Sequence, residues 1–316
     1  MTSRVAAVVV TYRAPQLTIA CVESLLASSR ETPHVIVVDN ASGDDSVEQF
    51  RERFGSDARV TIHARAVNDG YTGGNNAGVS LARKTGAEYA LVLNNDTVVD
   101  PECLRLLVDE AEGDRAVTLA APRIFFGEPE DRLWFGGGRF SLWRGRPIHV
   151  GYRGTASDGW TERRDLEYAS GCALLVRLNR VGDPMFDDSL FTYAEDVDLS
   201  MRVRRAGGRI RYVPNAVMWH YEGSGHRQGK SQSLRFYLNI RNRLRVNARH
   251  ARWYHWITLG PSLLVDVIGR YAAVAVRDRD WPALRAVFHG AWDSVSGGRH
   301  AIETATRVDS SRSETR

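Results

Sequence analysis

Cysteine is scarce in this sequence of 316 residues, which contains only three, and no two of them form a CxxC pair. Cys21, Cys103 and Cys172 lie far apart, a pattern that fits a reducing cytosol better than a framework of disulfide bonds. The first ten residues lead directly into an apolar run without a small-residue cleavage site, so we expect no signal peptide. Together these features predict a cytoplasmic protein.

Motifs that would indicate two other functions are also missing. The first predicted strand is followed by Thr11-Tyr12-Arg13-Ala14-Pro15 rather than by GxGxxG, which argues against a nicotinamide-dependent oxidoreductase. No nucleic-acid-binding motif accompanies the basic residues, so we expect no nucleic-acid partner. A hydrophobic content of 43% and a charged content of 25% exclude global disorder and allow a sizeable core.

Positive charge is concentrated in one part of the chain. Between Leu199 and Trp256 there are 13 Arg and Lys residues and one acid, Glu222, a local net charge of +12. Because the whole chain has a net charge of +4, the remaining residues have a net charge of −8. Such a dense basic block favours anionic partners such as phosphates or lipid headgroups. Most of these side chains could equally form an ordinary solvated, arginine-rich face.

The first hundred residues alternate between strand and helix patterns. Short apolar runs rich in β-branched residues predict four strands, at Val5–Thr11, His34–Val38, Val60–Ala64 and Tyr89–Leu93. Strands that alternate with helices form βαβ units with a mostly parallel sheet. Ligands of such sheets bind beyond the carboxyl ends of the strands, where Thr11, Asp39 and Asp96 should converge.

The last third of the chain has a helical pattern. Ser233–Arg252 is basic and aromatic, and Ile257–Val276 is apolar on one side. Polar residues recur at spacing four on its other side, namely Ser262, Asp266 and Arg270. These charges make the second segment a poor membrane-spanning helix. It could lie in a membrane interface or pack on the rest of the protein as an ordinary core helix.

Two carboxylates stand at the ends of predicted strands. Asp96, in Asn94-Asn95-Asp96, could hold a divalent metal that bridges the phosphates of a nucleotide sugar, or could simply cap a turn. Asp39 could accept the imide N–H of uracil or thymine, bind ribose hydroxyls, or cap a helix. The sequence leaves both alternatives open at each position.

Two further groups of residues could carry chemistry. Glu195 and Asp196 would lie in the first turn of a helix, where one could deprotonate an acceptor hydroxyl, although acids there also stabilise the helix dipole. His220 ends a strand-like segment and could complete a metal shell, bind a diphosphate, or be an incidental residue. In the loop that follows, Arg227 is a candidate anion ligand.

Read in order, these elements resemble the family 2 glycosyltransferases of the GT-A fold, especially their bacterial rhamnosyltransferase branch. The resemblance runs through seven motifs, namely Thr11-Tyr12, IVVDNASGD, NDGYTGGNNAG, LVLNNDT, SGCALLVR, EDVDLSMRVRRAG and YVPNAVMWHYEGS. It covers about Val5 to Arg249, and FYLNIRNRLR resembles the YxxxRN segment of that branch. The resemblance implies a Rossmann-like, mostly parallel α/β sheet flanked by helices, with a C-terminal helical extension.

The resemblance also implies roles for the matching residues. Asp196 would be the catalytic base with Glu195 beside it, and Asp96 with His220 would hold Mg²⁺ or Mn²⁺. Asn94 replaces the first acid of the family's Asp-x-Asp, and this neutral ligand lowers the charge of the metal site. The nucleotide and donor contacts would be Thr11, Tyr12, Asp39, Asn40, Asn75, Asn76, Asn94, Asn95 and Arg227.

The function implied is an inverting, metal-dependent glycosyltransferase. Its donor would be a nucleotide-diphosphate sugar, rhamnose in its dTDP form or a UDP-sugar. Its acceptor would be a glycan, a lipid-linked molecule or a small molecule, met in the cytoplasm or at the inner face of the membrane. The alternatives are a metal-dependent sugar-phosphate nucleotidyltransferase and a non-catalytic, membrane-associated sugar-binding protein of the same fold.

These readings predict a division of the chain. The catalytic domain would occupy residues 1–232, with a nucleotide-binding half at 1–100 and an acceptor and catalytic half at 101–232. A basic, amphipathic helical extension would follow at 233–300. The polar residues 301–316 predict a disordered tail.

Overall fold

The computed structural model of the protein describes residues 3–29, 31–155, 159–221 and 232–298. The chain divides into two compact units. The first, which we call the sheet unit, comprises Met1–Arg139, Ile148–Ser189 and Glu195–Gly225. The second, which we call the helical unit, comprises Phe140–Pro147, Leu190–Ala194 and His226–Arg316.

The described residues contain twelve strands. They are β1 (Val5–Thr11), β2 (His34–Asp39), β3 (Val60–Ala64), β4 (Tyr89–Asn94), β5 (Thr97–Val99), β6 (Val117–Phe126), β7 (Leu133–Phe135), β8 (Gly138–Ser141), β9 (Arg146–His149), β10 (Arg164–Asp165), β11 (Ala173–Arg177) and β12 (Arg209–His220). The main sheet runs in the order β10-β12-β6-β11-β4-β1-β2-β3, with β5 paired to β12 and β7 paired to β6. The four strands predicted from the apolar runs are β1 to β4.

One half of the sheet is parallel and brings the strand ends together. β1 pairs with β2 and β4 in parallel, so Thr11 lies opposite Asp39 and Val10 lies opposite Asn94. The side chains of Val5 to Val9 are fully buried, as expected for a strand covered on both faces. Thr11, Asp39 and Asn94, at the ends of β1, β2 and β4, therefore lie at one edge of the sheet.

The other half of the sheet is mixed. β11 is antiparallel to both β4 and β6, whereas β12 is parallel to β6. β5 runs antiparallel to the end of β12 and places Thr97 opposite His220. This pairing carries Asp96, the residue before Thr97, to the neighbourhood of His220.

The described residues contain nine α-helices. They are α1 (Pro15–Leu26), α2 (Ser46–Phe54), α3 (Gly70–Lys84), α4 (Cys103–Gly113), α5 (Glu195–Arg205), α6 (Gln232–His250), α7 (Trp256–Leu263), α8 (Arg270–Arg277) and α9 (Trp281–Ser296). Pro15 begins α1 because its fixed φ suits the first turn and its missing N–H is not needed there. Glu195 begins α5, where the sequence predicts a helix start.

Helices α6 to α9 build the helical unit around their own core. Phe236 and Ile240 of α6 are buried together with Leu259, Leu263 and other apolar residues of the later helices. A Cβ atom at Gly290 would lie 2.7 Å from the backbone oxygen of Tyr237, so glycine permits α9 to approach α6 closely. Among the described helices, none has both the length and the apolar character that crossing a bilayer requires.

The segment between α7 and α8 departs from its predicted pattern. Residues Leu264–Gly269 form a π-helical stretch. Leu263 is buried, but its neighbours Leu264 and Val265 are 62% and 66% exposed. A π-helical turn interrupts the regular 3.6-residue period that the spacing of four in this segment predicts.

Candidate active site

The asparagine next to Asp96 is turned into the protein. Asn95 is 7% exposed, and its Nδ2 donates hydrogen bonds to Oγ1 of Thr18 at 3.0 Å and to Oγ1 of Thr11 at 3.3 Å. The hydroxyl of Thr18 also donates to that of Thr11 at 2.8 Å. Asn95 and Thr11 thus tie the end of β4 to β1 and α1, and their roles in nucleotide binding stay predictions.

Asp96 and His220 form a buried pair at the end of the sheet. Oδ1 of Asp96 lies 3.1 Å from Nε2 of His220, and the two residues are each 5% exposed. Nδ2 of Asn94 lies 3.5 Å from the same ring nitrogen. Carboxylate, imidazole and amide groups therefore converge on one point beyond β4 and β12.

The surroundings of His220 favour its charged form. Burial lowers the pKa of His220, but the neighbouring Cys172 thiol and the Asp96 carboxylate outweigh it and raise this pKa to about 11. The ring of Trp134 stands edge-on to the imidazole, with the ring centres 4.7 Å apart. Trp134 is only 9% exposed, so it packs behind His220 as a core residue.

Asp39 is held by the turn that follows β2. Its Oδ2 accepts a hydrogen bond from the backbone N–H of Ser42 at 3.0 Å, and its Oδ1 accepts one from the Ser42 hydroxyl. Arg13 donates from its backbone N–H to the Ser42 hydroxyl and from Nε to the Ser42 carbonyl oxygen, each at 2.9 Å. The guanidinium of Arg13 also lies over the ring of Tyr12, 4.9 Å from its centre. Ser42 thus joins the two loops that carry Tyr12 and Asp39, and sequence reasoning missed both Ser42 and Arg13.

Two of the candidate asparagines hold loops in place. Asn40 donates to Oδ1 of Asn68 and to the carbonyl oxygen of Gly70, both at 2.9 Å. Asn76 donates to the carbonyl oxygen of Phe186 at 2.9 Å and accepts from the Phe186 N–H at the same distance. These hydrogen bonds occupy the side-chain amide groups. Asn40 and Asn76 could therefore contact a nucleotide-sugar donor directly only if these loops rearranged.

Two candidate residues for binding the nucleotide-sugar donor remain, and the structure describes only one of them. Asn75 is fully buried in α3, where its Nδ2 donates to the backbone oxygen of Tyr71 at 2.8 Å. Arg227 lies outside the described residues. The roles of both residues stay predictions.

Glu195 and Asp196 open α5 and face a short turn before β11. Oδ2 of Asp196 accepts from the Gly171 N–H at 3.0 Å, and Oδ1 accepts from the Val197 N–H at 2.7 Å. A Cβ atom at Gly171 would lie 3.4 Å from Cβ of Asp196 and 3.7 Å from Oε1 of Glu195. The two carboxylates therefore lie on either side of Gly171.

Asp196 is a stronger base than an ordinary aspartate. Burial raises its pKa, and the backbone N–H groups of Gly171 and Val197 oppose this rise only in part. A higher pKa makes the carboxylate a better proton acceptor near neutral pH. The backbone N–H groups of Gly171 and Val197 limit this rise, so the carboxylate ionises more easily than an equally buried one without them.

Residues Gly171 and Cys172 connect the two candidate centres. Gly171 binds Asp196, whereas Cys172, the next residue, lies beside His220. The hydroxyl of Tyr71 donates to the Gly171 carbonyl oxygen at 2.5 Å. Burial raises the pKa of Tyr71 well above its usual value, so its hydroxyl stays a donor. Sequence reasoning missed Tyr71, Gly171 and Cys172 as individual residues, although each lies within one of the seven motifs.

The Asp96–His220 pair fits a divalent metal in its chemistry. Mg²⁺ and Mn²⁺ accept carboxylate and imidazole ligands, and Mg²⁺ in particular is held by one or two protein groups together with substrate phosphates. Within the described ranges, no group of three or more His, Cys, Asp or Glu side chains is placed to hold a metal. A donor diphosphate would have to supply the remaining ligands.

Comparison with protein families decides the class of the protein. A family model for glycosyl transferase family 2 matches residues 6–162, and one for glycosyl transferase family group 2 matches residues 89–277. The second match covers more than half of the chain. The chain belongs to the family 2 glycosyltransferases. Its function is therefore that of a glycosyltransferase.

Among curated relatives, this glycosyltransferase is similar to a rhamnosyltransferase over most of its length. It is 25% identical over 254 residues to the N-acetylglucosaminyl-diphospho-decaprenol L-rhamnosyltransferase of Mycobacterium tuberculosis, covering 73% of this chain and 80% of that protein. It is 28% identical over 254 residues to the uncharacterized protein y4gI of Sinorhizobium fredii, covering 74% of this chain. The chain spans only 26% of the length of y4gI.

Solved structures show the same fold. The glycosyltransferase matches GalNAc-T7 with UDP, GalNAc and Mn²⁺ at a TM-score of 0.60 and 17% identity, over 77% of this chain and 47% of that one. It matches the mannosyltransferase PcManGT of Pyrobaculum calidifontis, in complex with GDP-Man and Mn²⁺, at a TM-score of 0.56 and 14% identity. That match covers 94% of this chain and 88% of the other. The chain therefore has the GT-A fold, as the motif order predicted.

A last feature of this glycosyltransferase is the segment that leads into Glu195. Phe191, Tyr193 and Ala194 have φ angles of 66°, 72° and 66°, values that non-glycine residues rarely adopt. Within the helical unit, Nδ2 of Asn242 donates to the carbonyl oxygens of Leu190 and Thr192 at 2.7 Å and lies 3.0 Å from that of Tyr193. Asn242 belongs to the YxxxRN segment, and it holds this strained backbone.

Proposed function

We propose that the protein transfers a hexosyl residue, rhamnose from its dTDP form or a sugar from UDP, to a hydroxyl of a lipid-linked acceptor with inversion at the anomeric carbon. The proposal rests above all on one observation. Gly171 contacts Asp196 and its neighbour Cys172 lies beside His220, so a partly buried carboxylate base and a polar pair suited to a diphosphate are close in space.

In the proposed reaction Asp196 acts as the general base. It accepts the proton of the acceptor hydroxyl while that oxygen attacks the anomeric carbon of the donor sugar. The bond between this carbon and the diphosphate oxygen breaks on the opposite face, and a nucleoside diphosphate leaves. A single displacement of this kind inverts the anomeric configuration. The backbone donors from Gly171 and Val197 keep the carboxylate oriented.

Asp96 and His220 would bind the leaving-group side of the donor. When bound by these two residues, a divalent cation would supply positive charge for the diphosphate oxygens. As a metal ligand His220 would have to be neutral, so binding of the cation would displace its proton; without the cation, its charged form would donate to the diphosphate directly. Thr11, Tyr12 and Asp39 would line the nucleoside pocket, since the parallel register brings the ends of β1 and β2 together.

The substrates are inferred from relatives. The mycobacterial relative is named as a rhamnosyltransferase acting on N-acetylglucosaminyl-diphospho-decaprenol, which supports rhamnose and a lipid-linked acceptor here. GalNAc-T7 and PcManGT bind nucleotides or nucleotide sugars together with Mn²⁺, which supports a divalent metal without choosing between Mg²⁺ and Mn²⁺.

Donor binding is tested by thermal unfolding of the full chain with dTDP-rhamnose, UDP-glucose, dTDP and UDP, each with and without Mg²⁺ or Mn²⁺. A ligand at about a hundred times its Kd adds about 2.7 kcal/mol to the free energy of unfolding, which is easily detected. We expect metal-dependent stabilisation by one nucleotide sugar. Stabilisation that does not change when the metal is chelated would contradict the role of Asp96 and His220.

The reaction itself is tested on the products. With the stabilising donor and a short-chain lipid-linked acceptor, we expect release of a nucleoside diphosphate and a product of inverted anomeric configuration by NMR. In a separate assay with dTTP or UTP and a sugar 1-phosphate, release of pyrophosphate would indicate a nucleotidyltransferase instead. Retention of the donor's configuration would exclude the single displacement.

A further inference from the structure

Exposed tryptophan is confined to the helical unit. Five of the eight tryptophans of the chain lie in this unit, and each is exposed: Trp143, Trp253, Trp256, Trp281 and Trp292. The three in the sheet unit are buried or partly buried. Large apolar side chains gathered on one surface usually mark a contact with another molecule or phase.

Helix α9 is apolar on two opposite sides. Its inner side is small and buried, with Ala283, Ala286, Val287 and Gly290. Its outer side is large and exposed by 58% to 90%, with Trp281, Phe288, Trp292 and Val295. The outer residues recur at spacings of seven, four and three, so they form one stripe along about 21 Å of helix. A helix that is apolar on two opposite sides is expected to be covered on both.

A second set of exposed apolar residues, which we call the second stripe, lies along α7, the π-helical stretch and α8. Its large apolar residues are exposed by 50% to 70%, namely Ile257, Leu264, Val265 and Val276. The core of the unit takes other residues of the same helices, including Leu259, Leu263 and Ala275. The helical unit thus has a complete core and, in addition, two outward apolar stripes.

The net charge of the helical unit indicates what kind of surface covers the two stripes. Its described residues contain twelve arginines and no lysine, against four aspartates and no glutamate, a net charge of +8. Eight of these arginines are exposed, namely Arg144, Arg235, Arg249, Arg252, Arg270, Arg277, Arg279 and Arg285. Tryptophan rings with arginines around them match the headgroup region of an anionic bilayer.

We propose that the helical unit docks on an anionic lipid bilayer through the two stripes. The tryptophans lie at the level of the headgroups, the aliphatic side chains enter the upper acyl region, and the arginines bind lipid phosphates. The helices lie in the interface and do not cross the bilayer. This inference deepens the proposed function, on which it rests for the lipid-linked acceptor, because that acceptor would be carried by the same bilayer.

A second copy of the chain fits the α9 stripe less well. The described exposed side of α9 contains Arg285 and His289 but no acid, since Asp293 is buried and accepts a hydrogen bond from the Tyr237 hydroxyl at 2.7 Å. A two-fold dimer through this side brings like charges onto the same small surface. An anionic bilayer supplies the complementary charge.

The test is sedimentation of the full chain with lipid vesicles. Vesicles of phosphatidylcholine alone are compared with vesicles containing roughly one-third phosphatidylglycerol, which supply the anionic charge. The variant carries Trp281→Ser and Trp292→Ser, which change only exposed side chains. Val67→Ser is the matched control, because Val67 is 57% exposed but lies in the sheet unit. Circular dichroism and the midpoint of thermal unfolding verify that both variants fold.

We expect the wild type and the control to bind anionic vesicles, less at high salt and less without anionic lipid. The double variant should bind about tenfold more weakly or worse, because two tryptophans leave the interface. Equal binding by the double variant and the wild type would overturn the proposal, and so would a wild type that binds neither vesicle. A wild-type dimer in light scattering that the double variant converts to monomer would assign the stripes to a second copy.

Donor binding separates this inference from the proposed function. Stabilisation by the nucleotide sugar should be unchanged in the double variant, since no donor contact is assigned to Trp281 or Trp292. A protein that binds vesicles but is stabilised by no nucleotide sugar would count against the proposed function alone. A protein that is stabilised by the donor but binds no vesicles would count against the docking surface alone.

Discussion

The two units use arginine in opposite ways. In the sheet unit, arginines of the basic block have carboxylate partners: Arg202 with Asp198, Arg209 with Asp114, and Arg211 with Glu110, Asp114 and Asp165. In the helical unit, twelve described arginines share four aspartates. Carboxylates therefore offset part of the basic block in the sheet unit, whereas the described residues of the helical unit keep a net positive charge.

The units also differ in what their buried polar groups do. In the sheet unit, Asp39, Asp96 and His220 are buried at the carboxyl ends of strands. In the helical unit, buried Arg241 and Asn242 bind backbone carbonyl groups of the Leu190–Ala194 segment. Our proposals therefore assign the chemistry to the first unit and the docking on a bilayer to the second. The predictions below test this division.

The largest effect is expected at Asp196. Asp196→Asn removes the proposed base but keeps the size of the side chain, so glycosyl transfer should fall by about 10²-fold or more. Donor stabilisation and vesicle binding should stay as in the wild type, because neither uses this carboxylate. Initial rates of nucleoside diphosphate release measure the loss, with the exposed Asp131→Asn as control. Transfer at near wild-type rate would remove Asp196 from the role of base.

A smaller effect is expected at His220. His220→Ala removes one of the two groups that would hold metal and diphosphate, and the apparent metal affinity should fall by about 10-fold to 100-fold. The concentration of Mn²⁺ that half-saturates donor stabilisation measures this change. If Asp196→Asn shifts the same concentration as strongly as His220→Ala does, the proposed separation of base and diphosphate site is wrong.

The sequence predicted the strand ends because they depend on local pattern. Short β-branched runs define β1 to β4, and parallel pairing then brings Thr11, Asp39 and Asn94 to one edge. A helix start at Glu195 follows from its acids in the same local way. The position of these four strands along the chain and the start of α5 were therefore accessible without coordinates.

The direction in which each of these side chains points could not be predicted from the sequence. Asn76 is saturated by Phe186, a residue 110 positions away, and nothing in its own motif indicates that partner. Asn95 faces inward, although its neighbour Asp96 faces His220. The π-helical stretch at Leu264–Gly269 changed which residues of its segment are exposed. Long-range partners and irregular backbone decide which way a side chain points. The periodicity of the sequence gives no information on either.

In the helical unit, the largest single effect on stability is expected at Asn242. Asn242→Ala removes the side-chain donor to the backbone oxygens of Leu190 and Thr192, which should cost about 1–3 kcal/mol of the free energy of unfolding, although Arg241 and the Thr192 N–H still donate to the Leu190 oxygen. Urea unfolding measures this cost. Asn239→Ala, on the same helix but with one contact to its own turn, should change stability by less than about 0.5 kcal/mol. Equal costs for the two variants would remove Asn242 as the holder of the strained segment.

The smallest effect concerns the pH dependence of stability in the sheet unit. Burial raises the folded-state pKa of Asp196, so the folded protein binds this proton more tightly than the unfolded chain does. The resulting contribution to stability is complete below the ordinary aspartate pKa and is lost as the pH rises through the folded-state pKa. Asp196→Asn does not titrate, so it should gain stability relative to the wild type as the pH rises from about 4 to 7.

Asp57 provides a control of opposite sign. The Arg59 side chain lowers the pKa of Asp57 to about 2, so this carboxylate contributes stability above the ordinary aspartate pKa and loses it in acid. Asp57→Asn should therefore lose stability relative to the wild type as the pH rises, and only slightly, because the ion pair is exposed. Thermal midpoints of the three proteins from about pH 2 to 7 give the comparison, because the contribution of Asp57 changes between about pH 2 and 4 and that of Asp196 at higher pH. If the thermal midpoints of both variants shift in the same direction relative to the wild type as the pH rises, desolvation does not govern the pKa of Asp196. The argument that Asp196 is a stronger base than an ordinary aspartate then fails.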